Sequence, residues 1–375
     1  MPTSPLIVNL KAHREKAGLS QKSLAEKAGI TRQSLISIES GRQMPSIAIA
    51  LSMARILGVR AEDLFQFKEA ESLEAQLAYP AFGQRCTDRV ALARVDGKWV
   101  AHRLPISSLD APDGVLAAIT GTREGRIQPA VPRQSLESNI LVAGCAPILQ
   151  VLGQRSAAKY AAPSMRWVPA SSRRALDLLD FGLAHVAGTH LVDEGTGEYN
   201  RPIVKEQFGR RKMAVVNLVC WQQGILLPRG NPMGIHEIAD LLRPDIRIAW
   251  REEGSGAHKL LTRSFGKAGA TESEIPGGPR LQGHMEVAQA VAFGGADAGI
   301  AIEAAALSYG LDFIPLSYER FDLVLHSRAL LEEPVEKLID TLRHSSFRNE
   351  VASFGGYDAS ETGELKTVED VPSTG

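Results

Sequence analysis

Cysteine is scarce in this chain of 375 residues: only Cys86, Cys145 and Cys220 are present. An odd count argues against a disulfide framework, and the three lie too far apart in sequence for a thiolate metal site, so buried or inert thiols are expected. Neither sign of charge dominates, with 42 basic against 43 acidic residues. No stretch reaches the ~20 uninterrupted apolar residues that a membrane span needs. Lys11, His13, Arg14, Glu15 and Lys16 interrupt any apolar core in the first 17 residues, so no signal peptide is read there and the protein is expected in the cytoplasm. There is no repeat of fixed period. Gly-x-Ser-x-Gly elbows, His-Glu-x-x-His pairs, phosphate-binding loops and dinucleotide fingerprints are all missing, so no cofactor and no enzyme activity are expected. Cys145 on a Gly-flanked turn, with His190 as its base, is the one superficial nucleophile pair.

What is present begins at the N-terminus. Ser20 is positioned to cap a helix whose Leu24, Ala25 and Ala28 share a face, and Gly29 supplies a left-handed residue for a reversal. Thr31 then caps a second helix with Leu35, Ile36 and Ile38 directed inward. That leaves Arg32, Gln33, Ser34 and Ser37 at its start and outer face, where base edges would lie. Residues 1–68 carry ten Lys/Arg against five acids, a surplus of +5 in a chain whose net charge is −1. A basic surplus concentrated in one segment fits a polyphosphate partner.

This run resembles the Cro/lambda-repressor (XRE) family of helix-turn-helix domains over residues 6 to about 67. The resemblance includes a first helix with Leu10 and Arg14, a fourth from Ser46 to Leu57, and a short closing helix at Ala61–Phe65. It implies DNA binding through Gln21, Thr31, Arg32, Gln33, Ser34, Ser37 and Arg42, with Arg32 or Gln33 on base edges and Gln21, Thr31 and Arg42 on phosphates. Binding to a pseudo-palindromic operator as a homodimer is the corresponding expectation.

The remainder divides by pattern. Residues 69–83 read as a polar helical linker, and 84–136 as a small β-rich segment of unassigned role, with Asp96-Gly97 as a hairpin turn. From 137 to 362, short apolar strands alternate with helical segments, implying a mainly parallel sheet with helices on both faces. Residues 363–375 form a polar tail, and the polar, acidic segment from Tyr357 to Gly375 is expected to end in disorder. The fold class is therefore multidomain: an all-α head, a β-rich middle and an α/β two-lobed domain.

In that last domain Val142-Ala143-Gly144-Cys145-Ala146-Pro147, Trp167-Val168-Pro169-Ala170-Ser171-Ser172, Gly195-Thr196-Gly197-Glu198-Tyr199-Asn200 and Arg251-Glu252-Glu253-Gly254-Ser255-Gly256 occur in order. Together with His185–Leu191, Gly294–Gly299 and Leu311–Leu316 they resemble the type-2 periplasmic-binding-protein superfamily, within it the cytoplasmic molybdate-binding-like domains. The resemblance implies a small anionic ligand, molybdate or tungstate first. The residues suit an oxyanion: Ser171 and Ser172 in one lobe, and Gly254, Ser255 and Gly256 in the other, present hydroxyls and free amides at helix starts. Gly144 and Cys145 lie on a third such turn. His190 can donate to an anion or make a structural hydrogen bond, and Arg251 can neutralise a ligand or pair with Glu252 or Glu253. His284 suits packing or capping. The expected function is a ligand-responsive DNA-binding regulator; the alternative is a DNA-binding scaffold whose two-lobed domain recruits a protein or binds a pterin or organic acid.

Overall fold

The computed structural model describes residues 6–67, 72–79, 88–105, 110–160, 164–270, 274 and 277–368. The chain divides into two units, Met1–Glu71 and Ser72–Gly375. Among the described residues no helix is long and apolar enough to cross a membrane.

The first unit consists of α1 (Leu10–Lys16), α2 (Gln21–Lys27), α3 (Arg32–Glu39), α4 (Ile47–Leu57) and α5 (Ala61–Leu64), tied by the pair β1 (Leu6–Val8) and β2 (Phe65–Phe67). Local chemistry sets the helix starts. The Ser20, Thr31 and Ser46 hydroxyls accept the amides of Ser23, Ser34 and Ile49 at 3.1, 3.0 and 3.3 Å. Gly29, at φ +69°, makes the reversal between α2 and α3. Leu10, Leu24, Leu35, Ile38, Met53 and Leu64 form the core. Across it the buried Arg14 meets Glu39 at 2.6 Å.

The second unit opens with a closed barrel of β3 (Leu73–Leu77), β4 (Arg89–Val95), β5 (Lys98–Arg103), β6 (Gly114–Gly121) and β7 (Glu124–Pro129). The segment read as a helical linker, 69–83, is thereby corrected: Leu73–Leu77 alternates buried and less buried side chains and pairs with β5 and β7. Period-two burial defeats helical propensity here because Leu73, Ala75 and Leu77 face the barrel interior.

After α6 (Arg133–Leu136) come β8 (Ile140–Gly144), α7 (Ile148–Tyr160), β9 (Met165–Pro169), α8 (Ser172–Asp180), β10 (Val186–Thr189) and α9 (Arg201–Phe208), making the first lobe. A strand of 15 residues, β11 (Met213–Leu227), leaves that lobe. The second lobe is β12 (Ile248–Arg251), α10 (Gly256–Lys267), β13 (Arg280–Leu281), α11 (His284–Ala292), β14 (Ala298–Ile302) and α12 (Glu303–Tyr309). A second 15-residue strand, β15 (Asp312–His326), returns, followed by α13 (Glu333–Arg343), α14 (Ser345–Ser353), β16 (Tyr357–Asp358) and β17 (Leu365–Val368).

Both lobes belong to one sheet ordered β13-β12-β14-β11-β15-β10-β8-β9. Within each lobe neighbouring strands run parallel, but β11 and β15 pair antiparallel along their whole length, from Met213↔His326 to Leu227↔Asp312. The sheet is therefore mixed rather than mainly parallel. At roughly 3.4 Å per residue each long strand reaches about 50 Å, enough to traverse both lobes. Of the final segment, the part through Val368 is built into the sheet: β16 and β17 add to β11 and the Thr362 hydroxyl donates to the Leu218 carbonyl. Residues 369–375 lie outside those described.

The barrel docks on the first lobe. Ala91, Ala93 and Val100 share a core with Leu141, Leu176 and Leu179. Asn139 Nδ2 donates to the Leu92 carbonyl at 2.8 Å, and His102 Nε2 lies 2.6 Å from the Leu183 carbonyl.

Candidate functional site

In the head, the residues expected to contact DNA lie on and around α3 and at the start of α2. Arg32, Gln33 and Arg42 are exposed, and Ser34 and Ser37 are half-buried. Thr31 and Ser34 share a hydroxyl contact of 2.8 Å while Thr31 caps α3. Gln21 is already engaged, donating Nε2 to Glu39 Oε2 at 3.0 Å. Glu39 thus ties together α1, α2 and α3 through Arg14 and Gln21, an assignment the sequence left unmade.

In the second unit the seam between the lobes gathers side chains from the ends of β8, β10 and β12 and from the start of α11. Cys145 follows β8, His190 follows β10, Arg251 ends β12 and His284 opens α11; all four are buried. Cys145 Sγ stands 3.5 Å from His190 Nε2 and 3.9 Å from His284 Nε2. On its other side His190 Nδ1 meets Glu319 Oε2 at 2.7 Å. Gln223 Nε2 donates to the same carboxylate oxygen at 2.9 Å, with Trp221 Nε1 at 3.4 Å. The imidazole is held between Phe321, stacked at 5.8 Å, and Trp221, edge-on at 5.3 Å.

Electrostatics follow from that packing. Burial alone would strip the proton from His190, but the Cys145 sulfur and the Glu319 carboxylate outweigh it and hold the imidazolium well above its usual range. Burial raises the Cys145 thiol, yet His190 and Arg251 beside it win and lower it. Burial, then the charges of Arg251 and His190, push His284 well below its ordinary value and keep it neutral. Arg251 grips Glu252 through Nε and Nη2 at 2.8 and 2.9 Å, and its buried Nη1 has no hydrogen-bond partner. The cluster therefore combines a thiol whose pKa is drawn down, an imidazole whose pKa is drawn up, a carboxylate that orients the pair, a second imidazole whose pKa is pushed down, and a cation.

The residues expected to present neutral donors behave differently. The Ser172 hydroxyl is fully buried and accepts the His190 amide at 3.3 Å. Ser255 caps α10, accepting the His258 amide at 3.1 Å and donating to the Glu252 carbonyl at 2.8 Å. Ser171 is half-buried, makes no side-chain cap bond, and its oxygen lies 3.8 Å from where a β-carbon on Gly254 would stand. Gly144 gives its carbonyl to Trp167 Nε1 at 2.8 Å, a packing role. Gly256 lies against the His190 ring. Glu319, Gln223 and Trp221 were missed. Glu319 carried a weak signal, an acid in the middle of the half-apolar strand β15 that also holds Asp312 and Asp322, but its partner is 129 residues away.

Residues 154–343 match the family described as PBP superfamily domain, and residues 10–64 match a helix-turn-helix family. The chain is similar to the uncharacterized protein YvgK of Bacillus subtilis, 30% identical over 60% of this chain and 73% of that one. Its head is similar to an uncharacterized HTH-type transcriptional regulator of Methanothermobacter thermautotrophicus, 44% identical over 16% of this chain and 88% of the relative. Among solved structures, an ABC-type phosphate transport receptor from Vibrio cholerae aligns with a TM-score of 0.41 at 16% identity, covering 58% of this chain and 98% of the receptor.

Proposed function

Because this chain belongs to the PBP superfamily domain family and joins that domain to an XRE-type helix-turn-helix head, we propose that it is a one-component transcriptional regulator whose operator affinity is set by a small ligand at the seam between its lobes. The observation that carries this reading is the convergence of Cys145 and His190 from one lobe with Arg251 and His284 from the other in a single buried polar cluster. In α/β folds ligands sit beyond the carboxyl ends of strands, which is where Cys145, His190 and Arg251 stand. A ligand that touches both lobes stabilises the closed form by its differential affinity for it. The unpartnered Arg251 Nη1 supports an anion, with molybdate or tungstate the first candidates. The head binds an operator as a homodimer, Arg32 and Gln33 toward bases and Gln21, Thr31 and Arg42 toward phosphates, and ligand and operator are coupled by about 1–3 kcal/mol.

The test uses the full chain. Its preferred site is selected from random duplex DNA, and operator affinity is then measured by fluorescence anisotropy with molybdate, tungstate, sulfate, phosphate and small organic acids. Thermal unfolding is followed in the same solutions. A ligand at 100 times its dissociation constant adds about 2.7 kcal/mol of stability. No enriched DNA sequence would overturn the operator assignment. An enriched sequence with no response to any anion would overturn the anion and favour the scaffold alternative.

A further inference from the structure

The seam contains three side chains whose ligand atoms face one another: Cys145 Sγ lies 3.5 Å from His190 Nε2 and 3.9 Å from His284 Nε2, one ligand atom from each residue lies within 4.8 Å of the other two, and all three residues are buried. We infer that these three atoms hold one divalent transition-metal ion, with Zn2+ the first candidate. The inference rests on the reading of the seam as the effector site and supplies an ion for it.

Distances, chemistry and surroundings each support the assignment. A tetrahedral ion with sulfur at ~2.3 Å and nitrogen at ~2.0 Å imposes a sulfur–nitrogen separation of about 3.5 Å. The Cys145–His190 separation, 3.5 Å, matches that value, and the Cys145–His284 separation, 3.9 Å, is a few tenths of an ångström longer. Thiolate and imidazole together favour ions of borderline softness over Mg2+ or Ca2+. His190 also has the outer partner that ligating histidines use: its second nitrogen, Nδ1, is bonded to Glu319, which fixes the ring and leaves Nε2 toward the sulfur. Glu319 is in turn held by Gln223 and Trp221, so the orientation is set two layers out. Entry of the ion displaces the proton on His190 Nε2.

The geometry gives the ion a mechanical role. Cys145 and His190 come from the first lobe, while His284 starts α11 in the second. Coordination thus staples the lobes shut. Three protein ligands leave one tetrahedral position, as in sites that take an exogenous ligand. Arg251 stands beside the sulfur, so an anion completing the shell would meet a cation there.

Full-length protein, dialysed against a chelator, is titrated with Co2+ and with Zn2+. The expected result is one ion per chain, thiolate-to-cobalt charge-transfer absorption with tetrahedral ligand-field bands, and displacement of Co2+ by Zn2+. C145S should abolish the charge-transfer band, H284A and H190A should weaken binding at least about 100-fold, and C220S should change neither. Glu319→Gln, which keeps the shape but not the charge of a positioning residue, should weaken binding about tenfold while retaining the spectrum. Absence of a charge-transfer band in the unmodified protein, or its survival in C145S, overturns the inference irrespective of how any variant folds. Stabilisation of the metal-free protein by an anion, with no cobalt band, would remove the metal and leave the sensing reading intact. A cobalt band with operator affinity indifferent to every ion would keep the metal and remove the sensing reading.

Discussion

His190 of the first lobe and Gly256 of the second are in direct apposition: a β-carbon on Gly256 would stand 2.3 Å from His190 Cε1 and 2.6 Å from Nδ1. Only a residue without a side chain lets the start of α10 come this close to the imidazole. Gly256→Ala should therefore prop the lobes apart. Overpacking of this kind costs about 1–3 kcal/mol, and here the strain can be relieved by opening rather than by unfolding. The expected outcome is a larger radius of gyration in small-angle scattering and loss of any ligand-induced thermal shift, with operator binding by the head retained. Unchanged scattering would mean that the ring, not the lobe, gives way.

His102 offers a pH test. Burial, with a smaller push from Arg174, lowers its pKa to about 4 despite the bond to the Leu183 carbonyl. The group is neutral when folded and takes up its proton in the unfolded chain near pH 6.5. Its contribution is fully present above pH 6.5 and is lost as pH falls toward 4, reaching about 3 kcal/mol. Denaturant unfolding of the wild type and His102→Gln between pH 7 and 4 should diverge, the variant losing less stability across that window. Parallel curves would place the acid sensitivity elsewhere.

On the head, Arg32→Ala and Gln33→Ala should each remove about 1–3 kcal/mol of discrimination between the selected operator and random DNA. Equal losses on both DNAs would reassign these residues to the backbone, and no loss on either would take them out of the interface.

Arg14 and Glu39 are nearly inaccessible, with side chains 8% and 5% exposed. Charged hydrogen bonds at such sites are worth about 1.5–3 kcal/mol. Arg14→Ala should lower hydrogen-exchange protection of peptides from α1 to α3 by roughly 30-fold, leaving peptides of the second unit unaffected. Full protection in the variant would show that packing around Leu10, Leu24 and Leu35 suffices.

What could be read from the sequence was what depends on near neighbours. Ser20, Thr31 and Ser46 cap helices through bonds three residues away, and Gly29 turns the chain by its own dihedral angles. The Asp96-Gly97 turn joins β4 to β5 for the same reason, both residues having positive φ. Leu73–Leu77 reads as helix because the polar run from Lys68 to Glu74 around it suggests one, whereas the partners that make it a strand, β5 and β7, lie well downstream. The full lengths of β11 and β15 are not legible in the sequence, because Gln222-Gln223 and Pro315 break the apolar runs although the backbone ladder continues past them. The cluster itself was half visible. Cys145, His190 and Arg251 stand at strand ends and were nominated, but His284 comes to Cys145 from 139 residues away and Glu319 to His190 from 129. Ser172 and Ser255 were nominated for hydroxyls that turn out to serve the backbone.

The docking of the barrel on the first lobe has a mechanical corollary. With a shared apolar core and the Asn139 and His102 bonds spanning the joint, barrel and first lobe form the stator of the second unit. The second lobe is joined to it by an apolar cluster that takes in both lobes and by the β11–β15 ribbon, whose pairing slips between Asn217 and Val219 and again between Gln223 and Gly224. Flexure concentrates where a ladder is interrupted, so the rotor should pivot at those two defects, and the second of them adjoins the glutamine that steadies Glu319.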